Sequence, residues 1–193
     1  MVLAELRDLI RAEAGIEGDD TYQVLVDAII NQEYGRLTGK SKYEELKKVE
    51  VFTTVANAEF EFTLPTDFQL FGSLIYLPIG ELPEEGIILD KGTYPRAGIR
   101  WQGNPKYWYR SGMELLVYPY SDSLIGDTLT LEYHKKQILT NNSDILLVNS
   151  LEPAILLSSI ARLVKMKDTR KGQIIAQDAQ RAFLDARTEN AGN

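Results

Sequence analysis

Apolar positions recur at helical spacing at both ends of the chain and at every second position through its middle. Near the start, Leu3, Leu6 and Ile10 lie on one helical face, Leu9 widens the stripe, and Gly15 stands where a helix-ending glycine belongs. This predicts a helix from Val2 to Ala14. A second amphipathic segment follows, with Asp19 or Asp20 as cap, Tyr22, Leu25 or Val26, Ile29 or Ile30, and Leu37 on its apolar face, and Thr38-Gly39 closing it. Ser41 and Glu44 have the spacing of a capping box, which predicts a short third helix over "SKYEELKK".

From Val49 the period changes to two. "VEVFTT", "EFEFTL", "SLIYLP", "GIILD", "KYWYR", "MELLVYP" and "DTLTLEYHK" are short, rich in β-branched and aromatic residues, and punctuated by Gly, Pro, Asn and Asp. They predict a block of about seven strands. Ser111-Gly112 reads as a two-residue hairpin turn between "KYWYR" and "MELLVYP", and the turn-rich stretch from Glu81 to Gly103 as the loosest part. Within "FEFTLPTDFQLFGSLIY", Pro65 cannot donate to a sheet ladder, so a strand must end at Leu64-Pro65 on a sheet edge. Asp67 then starts a turn and Phe68 tucks back to staple the corner, which makes Leu64, Pro65, Asp67 and Phe68 a structural corner.

Helical spacing returns after the polar "TNNSD" loop. Pro153 suits a first turn, with Ala154, Leu157, Ala161 and Val164 on one face, and Ile175, Ala179, Ala182 and Ala186 form the face of a last helix. "TENAGN" lacks an apolar anchor and is expected to fray. The two helical segments are too thin to hold separate cores. The expected class is therefore α+β: a bundle of N- and C-terminal helices (1–48 and 137–193) with an inserted antiparallel β-sandwich-like domain (49–136).

The chain has 193 residues and a net charge of -7, which disfavours a surface built to neutralise phosphates. It contains no cysteine, so disulfides, thiol nucleophiles and cysteine metal sites are excluded. No apolar run reaches the length of a membrane span or forms a signal-peptide core, so an unexported, soluble protein is expected.

Catalytic chemistry finds little footing. His134 is the single histidine and reads as a strand-terminal residue. Asp19-Asp20 and Glu84-Glu85 are adjacent carboxylates of the kind that cap helices or decorate loops, and phosphate-cradling glycine motifs are absent. No metal or cofactor is expected. In "RWQGNPKYWYR", Arg100, Lys106 and Arg110 interleave with Trp101, Tyr107, Trp108 and Tyr109, a composition able to stack bases or sugars, but alternation sends Trp108 to the face opposite Tyr107 and Tyr109.

One resemblance covers most of the chain. "LAELRDLI", "IINQEYGRL", an alternating strand into "FTLPTDF", then "LIYLP", "GMELLVYP", "LTLEYHKK" and "LEPAILLSSIARL" follow in an order that resembles the head-to-tail connector adaptors of tailed bacteriophages, the tail tubular and neck adaptor proteins. Leu64 to Phe68 is the most specific piece. The resemblance implies a structural virion protein and not an enzyme: a homo-oligomeric ring, dodecameric in that family, beneath the portal protein. Such a ring sits at the head-tail junction, after synthesis in the host bacterial cytoplasm, and has no membrane partner. It meets a downstream tail tube, nozzle or head-closure protein, and genomic DNA passes through without specific binding. It also implies a portal-docking C-terminal segment, here Arg181 to Asn193, with Arg181, Phe183, Leu184 and Arg187 as its anchors. An acidic lumen would let DNA slide. The alternatives are another tail, neck or baseplate component, a carbohydrate-binding module using Tyr107, Trp108 and Tyr109, and an enzyme with carboxylates among Asp67, Glu84 and Glu85.

Overall fold

A computed structural model describes residues 1–16, 22–54, 61–93, 103–119 and 126–191. Asp19 and Asp20, Phe60, Gly98, Arg100 and Trp101 lie outside the described residues. The fold is mixed α+β, with helices toward both termini flanking a multi-strand region. The chain divides into two compact units: residues 1–46 with 136–193, and residues 47–135.

The first unit holds α1 (Leu3–Glu13), α2 (Gln23–Thr38), α3 (Glu152–Lys165) and α4 (Thr169–Ala191). Leu3, Leu6 and Ile10 of α1 are buried as their spacing predicts, whereas Leu9 is exposed. Helix α1 ends in a Schellman turn: the Gly15 N–H reaches Ala12 O and the Ile16 N–H reaches Arg11 O, both at 3.0 Å, with Gly15 at φ 65°. Ile16, just past this turn, is itself buried. Helix α2 buries Val26, Ile29, Ile30, Tyr34 and Leu37, and α3 is buried on most of its circumference, as expected of a central helix. Phe183 and Ala186 of α4 complete the same core.

The second unit contains β1 (Lys47–Thr53), β2 (Glu61–Thr63), β3 (Phe68–Leu77), β4 (Ile87–Ile88), β5 (Asp90–Lys91), β6 (Tyr107–Ser111), β7 (Glu114–Tyr118) and β8 (Thr128–Lys135). They form two sheets of order β1-β8-β3-β4 and β2-β7-β6-β5. On β8, Leu129, Leu131 and Tyr133 alternate inward, and one buried core draws on residues of both sheets. Aromatic pairs join strands of different sheets: Phe71 on β3 stacks on Trp108 of β6 with ring centroids 3.8 Å apart, and Phe52 of β1 meets Phe62 of β2 at 5.2 Å.

Several expectations are corrected. "SKYEELKK" is not a helix: Glu44–Leu46 form one 3-10 turn, and Lys47 already pairs with His134. Tyr43 and Leu46 are fully buried, and their burial and the β1–β8 ladder outweigh the local capping-box signal. The hairpin between β6 and β7 exists, but Ser111 pairs with Glu114, so its turn residues are Gly112 and Met113, with Gly112 at φ 62°. "GIILD" is split: Ile87–Ile88 pair with β3, Leu89 is buried, and Asp90–Lys91 pair with β6 in parallel, so the sheets are not wholly antiparallel. "TENA" continues α4 as helix to Ala191.

Candidate functional site

The Leu64–Phe68 corner is where the chain leaves one sheet for the other. β2 is an edge strand, and the Leu64 N–H still donates to Met113 O at 2.8 Å. The turn begins at Pro65, whose carbonyl accepts the Phe68 N–H at 2.9 Å, so Asp67 occupies its third position and does not start it. Leu64 and Phe68 are buried. The Phe68 ring stacks on Tyr133 with centroids 5.7 Å apart, and the Arg110 guanidinium covers it at 4.6 Å. The Tyr133 hydroxyl donates to Asp67 Oδ1 at 2.8 Å and Lys48 Nζ to Oδ2 at 3.1 Å. Burial pushes the Asp67 carboxyl up, but these two donors outweigh it and hold the group below the ordinary carboxylate range. The corner is an architectural joint tied by stacking and charge.

The residues considered for chemistry do not converge. Trp108 is buried against Phe71, so it forms no open platform with Tyr107, which is exposed. Glu84 and Glu85 lie on an exposed 3-10 turn, and Asp67 serves the corner. His134 stands one residue before the end of β8, as a strand-terminal residue, but it lies between Lys47 of β1 and Leu70 of β3 and at 5% exposed is buried and not on the surface. Among the described residues no group of three His, Asp or Glu side chains gathers to hold a metal ion. No helix among them is long and apolar enough to cross a membrane.

The helical unit carries a cleft of about 540 Å³ lined by α2, α3 and α4. Its floor includes Leu37, Ala161, Ala179 and Phe183, and among the described residues its rim carries Arg36, Lys40, Arg162 and Lys165 against a single carboxylate, Glu33. Glu33 is nearly buried and bridges two of the cations, with Arg36 at 2.7 Å and Arg162 at 3.3 Å. Lys40 sits over the Phe183 ring at 5.3 Å. The helix geometry accounts for the sign of the rim: Arg36, Arg162 and Lys165 fall in the last turns of α2 and α3, where cations complement the helix dipole. Of the expected C-terminal anchors, Phe183 is 7% exposed and belongs to the core, whereas Arg181, Leu184 and Arg187 are exposed on α4. Sequence reasoning missed the cleft because its walls are distant in sequence and its basic residues read singly as solvated positions.

A second surface of opposite character lies on the β unit. Every residue from Ile79 to Glu85 is exposed, as are Ile87 and Ile88. Ile79, Leu82 and Ile88 are each more than half exposed, and Glu81, Glu84 and Glu85 stand among them. The segment is anchored from below. The Ile79 N–H donates to Asp127 Oδ1 at 2.7 Å, Leu89 is buried, and the Leu89 N–H donates to Leu74 O at 2.8 Å. The Glu85 carboxylate accepts the Leu82 N–H at 2.9 Å, and its proximity pushes the Glu81 carboxyl up.

No protein-family model matches this chain, and no curated protein matches it either.

Proposed function

We propose that the chain is a structural virion protein, the head-to-tail adaptor of a tailed bacteriophage, assembling as a ring beneath the portal and continuing the DNA channel into the tail. In this reading the helices form one bundle, and the β region is a sandwich-like insertion that meets the next tail component. What supports it is the placement of the pieces that resemble the adaptor family. "LAELRDLI" is the body of α1, "IINQEYGRL" lies on α2, and "FTLPTDF" spans the turn from β2 to β3. "LIYLP" ends β3, "GMELLVYP" covers β7, "LTLEYHKK" covers most of β8 and "LEPAILLSSIARL" most of α3, so each of these pieces falls on a helix or a strand.

The portal contact falls to the exposed side of α4, through Arg181, Leu184 and Arg187, with Phe183 supporting them from the core. The protein's charge of -7 suits a channel past which a polyanion moves without adhering.

The test is sedimentation velocity of the protein alone and mixed with the portal ring from the same genome. A stoichiometric shift onto the portal supports the adaptor and counts its copies. A ring that ignores the portal moves the protein elsewhere in the tail or baseplate, and a monomer indifferent to the portal overturns the reading.

A further inference from the structure

We propose that copies of this chain dock head to tail, the acidic, apolar 79–88 segment of one copy seating in the basic-rimmed cleft between α2, α3 and α4 of the next. The inference rests on the ring reading above and names the two faces that would build it.

One chain carries two surfaces that complement each other. Among the described residues the cleft offers an apolar floor under four cations and one carboxylate. The 79–88 segment offers exposed Ile79, Leu82, Ile87 and Ile88 with three carboxylates, Glu81, Glu84 and Glu85. The rim's excess of three positive charges thus meets three negative ones, and each face supplies the apolar groups the other lacks.

The 79–88 segment needs a physical account that the single chain does not supply. A run of exposed isoleucine and leucine on a well-anchored turn costs solubility and marks a contact surface. The Glu85 carboxylate beside it pushes the Glu81 carboxyl up, and a neighbouring cation would favour both ionised forms. Two copies at -7 repel as wholes, so association through arbitrary faces is opposed and the one locally attractive pairing is selected. The two faces are different patches, and where each engages a different neighbour the contact is heterologous. Such contacts generate rings when the rotation closes.

The absence of cysteine makes the test direct. Chains carrying Leu82→Cys and Gln173→Cys, one at the segment and one at an exposed lining position of the cleft, are mixed and treated with a short bis-maleimide, both free and with the portal ring. The control replaces Gln173→Cys by Val24→Cys, at an exposed position of α2 away from the cleft lining. The expected result is a cross-linked pair at least tenfold more abundant for Leu82–Gln173 than for the control. In parallel, Glu81→Lys/Glu84→Lys/Glu85→Lys and Lys40→Glu/Lys165→Glu chains should each self-associate at least tenfold more weakly than wild type. Mixing the two should restore assembly, because every contact is then between opposite charges.

Equal cross-linking in pair and control, in both the free and the portal-bound protein, overturns the proposal, as does wild-type assembly by both charge-reversed chains. If those chains still form rings on the portal, the docking faces are wrong while the adaptor reading stands. Specific cross-linking with no affinity for the portal leaves the contact standing and removes the adaptor. Loss of portal binding by the Lys40→Glu/Lys165→Glu chain, with self-association unchanged, gives the cleft to a portal segment and overturns the second-copy assignment.

Discussion

The Tyr76 hydroxyl donates to Asp127 Oδ2 at 2.6 Å, deep in the β unit, and the other oxygen of that carboxylate takes the Ile79 N–H. The Asp127 carbonyl also accepts from the Thr54 N–H at 2.9 Å, so one residue ties β1, β3 and the base of the 79–88 segment together. Both partners are almost wholly buried, and burial, then the carboxylate, pushes the Tyr76 hydroxyl well above the ordinary phenol range. Tyr76→Phe leaves a buried carboxylate short of a donor and should cost about 1–3 kcal/mol in urea unfolding. A cost below about 0.3 kcal/mol would mean that the bond contributes nothing net. The same variant should open the 79–88 segment to limited proteolysis before the rest of the unit.

Phe68→Ala removes a ring that is 9% exposed and stacked on Tyr133, at the joint between the sheets. The expected loss is about 3–5 kcal/mol, read from the shift in urea midpoint at constant slope. A loss under about 0.5 kcal/mol would show that the corner holds without its ring.

How much of this was legible beforehand depended on whether the deciding contact was local. The helices of both ends were, because Leu3, Leu6 and Ile10, or Ala179 and Ala186, mark their buried faces by spacing alone. Pro65 announced a strand end, since a missing N–H is a local fact. What tertiary pairing decides was not legible. Lys47 and Lys48 look helical beside Ser41 and Glu44, yet the edge of β8 takes them. The split of "GIILD" at Leu89 reflects two sheets competing for one strand. Asp127 gave no signal, because its donors come from residues 48 to 51 positions away.

Acid should weaken the β unit through the corner. The folded-state pKa of Asp67 is depressed, so its contribution is present above the unfolded value near 3.9 and is lost as pH falls through the folded value. Glu132, held down by the Ser73 hydroxyl at 2.7 Å, acts in the same direction. Urea midpoints should therefore drop below about pH 4, and Asp67→Asn should flatten that drop. An unchanged acid slope in Asp67→Asn would remove Asp67 from the account.

In the proposed portal contact, residues for docking and residues for folding share the C-terminal segment. A chain ending at Gln180 loses Phe183 and Ala186 from the helical core, and Phe183 alone should cost about 3–5 kcal/mol. Truncation therefore cannot isolate a portal contact. Leu184→Asp changes an exposed position on the same helix and should leave stability within about 0.5 kcal/mol. If it binds the portal ring as tightly as wild type in sedimentation, α4 is not the portal anchor.

Two glycines in helices make opposite predictions for one substitution. Ala usually stabilises a helix interior over Gly by about 0.5–1 kcal/mol. At Gly35 an added methyl group meets only the flexible Lys136 side chain at 3.7 Å, so Gly35→Ala should gain about that much. At Gly172 the methyl would lie 2.7 Å from Lys165 Cα and 2.8 Å from its nitrogen, in the backbone of α3. Overpacking there costs about 1–3 kcal/mol, more than the propensity gain, because neither helix can yield without moving the other. Gly172→Ala should therefore lower the thermal midpoint while Gly35→Ala raises it. Equal shifts in the same direction would mean that α3 and α4 do not approach this closely at Gly172.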